Sequence, residues 1–139
     1  MYLSRKRWIT NKKEIEIKGI KNIDPKNIRY ITDEIMYWRK ANGIHKWFVD
    51  NVQGGNDDCN EYIVEKKQLE KLVQTIKEII ETPEKAPKLL PTQEGFFFGD
   101  TNYDDNYFEE LEETQKQLEK VLKEDEKNPF VSYLYQSSW

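Results

Sequence analysis

The stretch on which our fold prediction depends is Tyr37–Gln53, which reads YWRKANGIHKWFVDNVQ. When this stretch is placed on a helix at about 100° per residue, it continues a helical spacing of apolar residues that begins at Ile28. One stripe then holds Ile28, Ile31, Ile35, Trp38, Asn42, His45, Val49 and Val52. Arg39 and Lys46 flank this stripe, two turns apart. An apolar stripe that is interrupted by Asn and His and edged with cations is typical of a core helix that also lines a polar pocket.

Helix-start residues precede the stripe. Asp24 fits an N-cap and Pro25 fits the first helical position. Gly43 is a weak point that costs about 1 kcal/mol relative to Ala. Because the stripe keeps its phase across Gly43, we predict one continuous helix from about Pro25 to about Val52. The alternative is a break at Gly43, which would turn Trp47 inward.

Charge is unevenly distributed along the 139 residues, a length that predicts one domain. Residues 1–50 hold 12 Lys and Arg against 6 Asp and Glu, whereas residues 51–139 hold 10 against 20. This asymmetry favours an anionic ligand near the N-terminal half. It also favours a contact between two subunits in which the basic half of one faces the acidic half of the other. Solvated helix faces are the simpler explanation for most of the C-terminal acid.

Strand patterns occur at both ends of the chain. Tyr2–Ile9 and Glu14–Lys18 alternate in polarity and predict an N-terminal hairpin. Phe130–Gln136 predicts a final strand that completes the sheet, and Tyr62–Val64 predicts a short extended segment. Two further helices have clear apolar faces. The first of these helices has its apolar face over Leu69–Ile80 and is ended by Pro83. The second begins at Asp104 or Asp105 and stops at Asn128. The sequence therefore predicts an α+β fold with three main helices and a small antiparallel sheet, formed by the N-terminal hairpin and the C-terminal strand.

Metal sites have little support in the composition. One His and one Cys exclude the usual zinc sites, which need about four such ligands. The acidic candidates for a hard cation match no EF-hand spacing, and helix capping and loop solvation account for them more simply. They are Asp57, Asp58, Asp100, Asp104 and Asp105. We predict neither a metal nor a cofactor.

Catalysis would have to use the only histidine. His45 could act as a general base beside Asp57 or Asp58, or could activate Cys59 as a nucleophile. None of these pairs belongs to a recognisable catalytic motif. A lone His in an apolar stripe is more often a hydrogen-bonded core residue.

Cations and aromatic rings are concentrated in the same stretch, and together they suit a phosphate and a stacked base. Ordinary aromatic core with surface lysines is the competing interpretation. The predicted ligand-binding residues are Arg39, Lys40, His45, Lys46, Trp47, Asn51, Gln53, Asp58 and Phe97. Trp47 lies off the stripe, and Phe96–Phe98 exceeds what one face can bury. These unexplained aromatics predict a homo-oligomer.

Several motifs together resemble a family of small proteins encoded by tailed phages and prophages. The resemblance runs from about Ile35 to the C-terminus and leaves the predicted hairpin uncovered. The motifs are Trp38–Asn42, Ile44–Gln53, Asp57–Cys59, Leu89–Thr92, Gly95–Gly99 and Gln136–Trp139. The resemblance implies a phage-encoded protein that acts in the host bacterial cytoplasm. It implies no particular activity.

These observations favour a non-catalytic binding protein that captures an anionic, nucleotide-like ligand, as an anti-defence sponge for a signalling nucleotide would. One alternative is an acidic protein-interaction module that inhibits a host defence protein. Another is a small hydrolase that uses His45. No run of about 20 apolar residues that would predict a membrane span occurs, and the lone Cys59 is compatible with a reducing cytoplasm.

Overall fold

A computed structural model describes residues 1–11, 19, 21–94 and 101–138 of the chain. Within these residues the strands are β1 (Tyr2–Trp8), β2 (Tyr30–Tyr37), β3 (Tyr62–Val64) and β4 (Val131–Gln136). The α-helices are α1 (Asn42–Asn51), α2 (Lys66–Glu81), α3 (Ala86–Leu89) and α4 (Asp105–Glu124). Short 3₁₀ turns occupy Pro25–Asn27 and Pro83–Lys85. The α+β class is therefore as predicted, but the number and bounds of the helices differ.

The described strands form one antiparallel sheet in the order β2-β1-β4-β3. β4 confirms the predicted C-terminal strand and pairs along β1, with Tyr2 opposite Gln136. The neighbours of β1 are β2 and β4. The predicted second strand of the hairpin, Glu14–Lys18, lies outside the described residues. The sheet therefore joins both ends of the described chain, with β1 between β2 and β4.

The predicted helix from Pro25 to Val52 is wrong. Tyr30–Tyr37 is a strand, and α1 begins only at Asn42. Tyr, Ile and Thr at the start of β2 favour a pleated, half-buried surface. Strand alternation keeps Ile35 buried, and the register shift between Leu3 and Ser4 brings Met36 opposite Leu3. Of the isoleucines that suggested a helix, only Ile35 is buried, because Ile31 is 40% exposed and Ile28 precedes the strand.

α2 has the face that its sequence predicts. Glu65 and Gln68 form a reciprocal capping box at its start. Its apolar stripe is buried and consists of Leu69, Leu72, Val73, Ile76 and Ile79. Burial of each such side chain stabilises the fold by about 1.5–3 kcal/mol. α2 packs against α4 on the inner side of the sheet, and this packing forms much of the core.

α4 is fixed at its start and in its middle. The Oδ1 atom of Asp104 accepts a hydrogen bond from the backbone N–H of Tyr107 over 3.1 Å, as predicted for one of the two candidate caps. Further along, Thr114 Oγ1 accepts a 2.9 Å hydrogen bond from the indole N–H of Trp38. Trp38 follows β2 directly. This bond therefore ties the turn between β2 and α1 to α4.

Among the described helices, none has the length and apolar character that crossing a membrane requires.

Candidate functional site

The cations of the predicted site do not share one helix face. Because α1 begins at Asn42, Arg39 and Lys40 lie in the exposed turn before it. Lys46 lies on α1, where its ammonium group is 2.9 Å from the carboxylate of Asp50. The geometric basis for pairing Arg39 with Lys46 along a helix is therefore lost.

His45 is a core residue, with 1% of its surface exposed. Its Nδ1 atom lies 2.7 Å from the hydroxyl oxygen of Tyr135, and its Nε2 atom lies 2.9 Å from Oδ1 of Asp57. A carboxylate only accepts, so Nε2 carries a proton, and in the neutral ring Nδ1 then accepts from the Tyr135 hydroxyl. Burial, with the charge of Asp57, raises the pKa of Tyr135 above its usual range, which keeps that hydroxyl a donor. Both ring nitrogens are thus occupied.

Trp47 is also in the core, with 6% of its surface exposed. Its ring meets Phe48 edge-on at a centroid distance of 5.3 Å, and Phe48 stacks on Tyr135 at 3.9 Å. A buried ring has no free face on which a base could stack. Trp47 therefore also gives no support to the predicted homo-oligomer. Phe96–Phe98, including the predicted Phe97, lie outside the described residues.

Asn51 and Gln53 make hydrogen bonds around the end of α1. Asn51 donates to the carbonyl of Trp47 over 2.9 Å and accepts from the ammonium group of Lys71 over 2.8 Å. Gln53 is buried and donates to the carbonyl of Asn56 over 3.0 Å. Each amide thus has a structural use.

Asp58 organises the loop before β3. Its carboxylate accepts from the backbone and side chain of Asn60, each over 2.9 Å, and from the hydroxyl of Tyr62 over 3.0 Å. The bond from the Asn60 backbone is the largest cause of the lowered pKa of Asp58. The loop is also tied to the end of β4, where Ser137 donates to the Asp58 carbonyl.

A cavity of about 220 Å³ lies where the start of α1 meets the start of α4. Its walls combine one predicted ligand residue, Lys40, with side chains that are distant in sequence. The lining residues are Lys40, Asn42, Gly43, Ile44, Thr92, Asn102, Asp104, Asn106, Tyr107, Glu110 and Leu111. It is smaller than the roughly 300–1,000 Å³ of sites that enclose drug-sized ligands. It would therefore take one polar part of a larger molecule, or a small molecule whole.

Two side chains that line this cavity are hydrogen-bonded to the neighbouring backbone. The hydroxyl of Tyr107 donates to the carbonyl of Leu90 over 2.9 Å, and Asn42 Oδ1 accepts from the N–H of Gln93 over 3.1 Å. A Cβ atom on Gly43 would lie 3.2 Å from the Leu90 carbonyl oxygen. Glycine therefore allows α1 to approach this segment closely.

Glu110 is the electrostatically unusual residue of the cavity. Its carboxyl group makes no hydrogen bond or ion pair in the part of the chain that the structure describes. Burial, and secondly the neighbouring charge of Glu113, raises the pKa of Glu110 to about 7. A titratable group with a strongly shifted pKa at a cavity is a candidate functional group. At neutral pH a large share of Glu110 is protonated and can donate a hydrogen bond.

The sequence analysis missed Tyr107 and Glu110 as site residues. Tyr107 belongs to the last predicted helix, whose apolar face predicts packing and not ligand binding. Glu110 follows it by three residues and precedes Thr114 by four, so helical spacing places it beside that face. An acid at the edge of an apolar stripe was the available signal, but it does not indicate which cavity the side chain lines.

A smaller pocket of about 190 Å³ also has Gly43 in its lining. It brings together Lys46, Trp47 and Asn51 with Lys88. The structure thus places Lys40 at one pocket and three further predicted residues at another.

Among the described residues, no three His, Cys, Asp or Glu side chains are arranged to hold a metal ion. No protein-family model matches the chain, and neither curated proteins nor solved structures include a significant match.

Proposed function

We propose that this protein is a non-catalytic binding protein for a small anionic, nucleotide-like ligand, and that the ligand enters the cavity between α1 and α4. The observation that carries the proposal is the half-buried Glu110, which has no partner in the described chain and faces the same cavity as Lys40. A desolvated polar group without a partner costs free energy. A ligand that accepts its proton would recover part of that cost.

Lys40 and the first turn of α1 supply the positive side of this cavity. The first N–H groups of any α-helix have no acceptor within the helix. In α1 the N–H of Asn42 donates to the Lys40 carbonyl over 2.8 Å, and Ala41 offers the next N–H groups no side-chain cap. A phosphate or carboxylate near Lys40 would interact with these groups. The carboxylate of Asp104 is already engaged as the cap of α4, which limits its repulsion of an anion.

The environment of His45 is the reason for preferring binding to hydrolysis. A general base must reach a substrate proton, and both nitrogens of the buried His45 ring are taken by Tyr135 and Asp57. A hydrolase based on this residue would need the core to open.

The resemblance to phage and prophage proteins supports the biological setting that we propose. In that setting the protein acts in the host bacterial cytoplasm and sequesters a signalling nucleotide in anti-defence. Inhibition of a host defence protein remains the alternative. It rests on the acidic surface of α4, where Glu109, Glu112 and Glu113 are exposed.

Calorimetric titration of a nucleotide panel, including cyclic di- and trinucleotides and adenosine-diphosphate-ribose derivatives, tests this proposal. Lys40→Ala should weaken binding by about 1.5–3 kcal/mol, the scale of a charged hydrogen bond. Glu110→Gln should keep binding at neutral pH, because the amide can also donate. Lys123→Ala is the matched control, since Lys123 lies 13 positions after Glu110 on α4, about 20 Å along the helix axis.

Two outcomes would redirect the proposal. If no nucleotide binds the wild type, the interaction module becomes the better interpretation. If chromatography of the recovered ligand shows turnover, the protein is an enzyme. Arg39→Ala belongs in the same series, because Arg39 precedes Lys40 in the exposed turn.

A further inference from the structure

The outer face of the sheet carries an exposed aromatic cluster at one end. Leu3 and Arg5 of β1 are buried, so strand alternation turns Lys6 and Trp8 to the opposite face. Trp8 pairs with Tyr30 of β2 in the sheet register. The two rings meet edge-on at 5.4 Å and are 48% and 46% exposed.

Phe130 extends this cluster towards β4. The backbone N–H of Trp8 donates to the Phe130 carbonyl over 2.9 Å, and the Phe130 side chain is 52% exposed. Single exposed apolar residues are ordinary on protein surfaces. Three large aromatic side chains on adjacent strand ends are a more specific arrangement. We refer to Lys6, Trp8, Tyr30 and Phe130 as the aromatic corner.

Lys6 places a positive charge directly on this corner. Its ammonium nitrogen lies 3.9 Å from the centroid of the Tyr30 ring and 5.3 Å from that of Trp8. Both distances are within the range of a cation–π interaction. No carboxylate of the described residues forms an ion pair with Lys6. Its charge is therefore held beside the rings, with no carboxylate partner in the described ranges.

Lys26 and Arg29 are exposed in the segment that leads into Tyr30, and the Arg29 carbonyl accepts from the N–H of Ile9, just after β1. This backbone contact fixes the segment beside the end of β1. Exposed rings beside cations complement a ligand that offers flat unpaired rings and a negative backbone.

We propose that the aromatic corner binds single-stranded nucleic acid, with bases stacked on Trp8, Tyr30 and Phe130 and phosphates near Lys6. Stacking needs bases whose faces are open, which a duplex does not offer. The positive charge favours a nucleic acid over an apolar protein partner. The corner shares no residue with the cavity between α1 and α4, so this binding is separate from the function proposed above.

Fluorescence anisotropy of a labelled 12-nucleotide single strand, as DNA and as RNA, provides the test. Wild type should bind both, should bind the matching duplex more weakly, and should lose affinity as salt is raised. Trp8→Ala should lower affinity by about 5- to 150-fold, the equivalent of one base–aromatic stack. Lys6→Glu should weaken binding while keeping the rings, and it covers the case in which Trp8→Ala fails to fold.

Ile63→Ser is the matched control. Ile63 is 72% exposed and its neighbour Val64 is buried, so it lies on the same outer face but on the distant strand β3. It should leave nucleic-acid affinity unchanged. The proposal is overturned if wild type fails to bind at 50 mM salt, or if Ile63→Ser weakens binding as much as Trp8→Ala. It is also overturned if light scattering shows an oligomer that Trp8→Ala dissociates while neither form binds the strand, because the corner is then a contact between copies.

Discussion

Arg5 and Asp33 stand directly opposite each other on β1 and β2 and form a close ion pair. Nη2 of Arg5 lies 2.8 Å from Oδ2 of Asp33, and Nε lies 3.2 Å from the same oxygen. The other edge of the guanidinium reaches Glu124 at 2.8 Å and Asp125 at 3.3 Å, where α4 ends. One side chain therefore ties two strands to a helix terminus.

Replacing Arg5 with Met should destabilise the fold by about 3–5 kcal/mol, because it leaves the buried carboxylate of Asp125 without its cation. Asp125 is 6% exposed. Arg7→Ala is the control, since the Arg7 side chain is 42% exposed and its 3.3 Å contact with Asp33 is worth about 0–1 kcal/mol. Urea unfolding followed by circular dichroism measures both. Equal losses in the two variants would contradict the importance of the buried contact.

Glu110 should make stability fall as pH rises between about 4.5 and 7. Its folded-state pKa of about 7 lies above the reference value of 4.5, so the folded state holds the proton more tightly and loses stability as the proton leaves. Glu110→Gln should be the more stable form at pH 7.5, by about 1–2 kcal/mol after allowance for solvent screening. Thermal unfolding from pH 4 to 8 measures the difference.

Glu109→Gln is the control for that pH series, because Glu109 is the exposed neighbour on the same helix. Its curve should parallel the wild-type curve. If Glu110→Gln also parallels the wild type across the whole range, the carboxyl group is not desolvated as the structure indicates.

The bond between His45 and Tyr135 should appear as a coupling energy in a double-mutant cycle. His45→Ala leaves the buried Tyr135 hydroxyl without its acceptor and should cost about 1–3 kcal/mol beyond the lost packing. Tyr135→Phe removes the hydroxyl from the other side. The double variant should be more stable than the sum of the single losses implies, by about 0.5–3 kcal/mol. Additive losses in urea unfolding would mean that the 2.7 Å contact contributes nothing.

Gly43→Ala should not give the gain that Ala normally brings to a helix. The usual gain is about 1 kcal/mol. Here the new methyl group would lie 3.2 Å from the carbonyl oxygen of Leu90 and 3.4 Å from that of Pro91, and backbone atoms yield less readily than side-chain ends. Since overpacking costs about 1–3 kcal/mol, we expect a net loss of about 1 kcal/mol in urea unfolding. A variant more stable than wild type would show that this segment moves aside.

Strong periodicity in long segments made α2, α4 and β4 predictable. The apolar residues of α2 recur at helical spacing over several turns, so they fit only a helix. The segment from Ile28 to Trp38 fits two types of secondary structure. Its isoleucines fit a helix, but they also fit a strand whose bulge turns both Ile35 and Met36 towards the core. The long-range pairing with β1 decided between them, and no local pattern contains that information.

The candidate site was less predictable because its walls come from distant parts of the chain. Lys40 was selected for its charge and does line the cavity. Tyr107 and Glu110 follow more than 60 residues later, and only the packing of α4 beside the start of α1 brings them there. Residue chemistry alone selected Trp47 as a stacking ring, whereas the structure places it in the core.

The position of β4 in the sheet has a consequence for the order of assembly during synthesis. Among the described strands, β3 pairs only with β4, and β4 also covers one edge of β1. α1, α2 and the β1–β2 pair can therefore begin to form while the nascent chain is still on the ribosome. β3 and the free edge of β1 wait for β4 to emerge. Until then, an edge of β1 is open to pairing with other chains, so a stalled or truncated product that lacks β4 should be the form that aggregates.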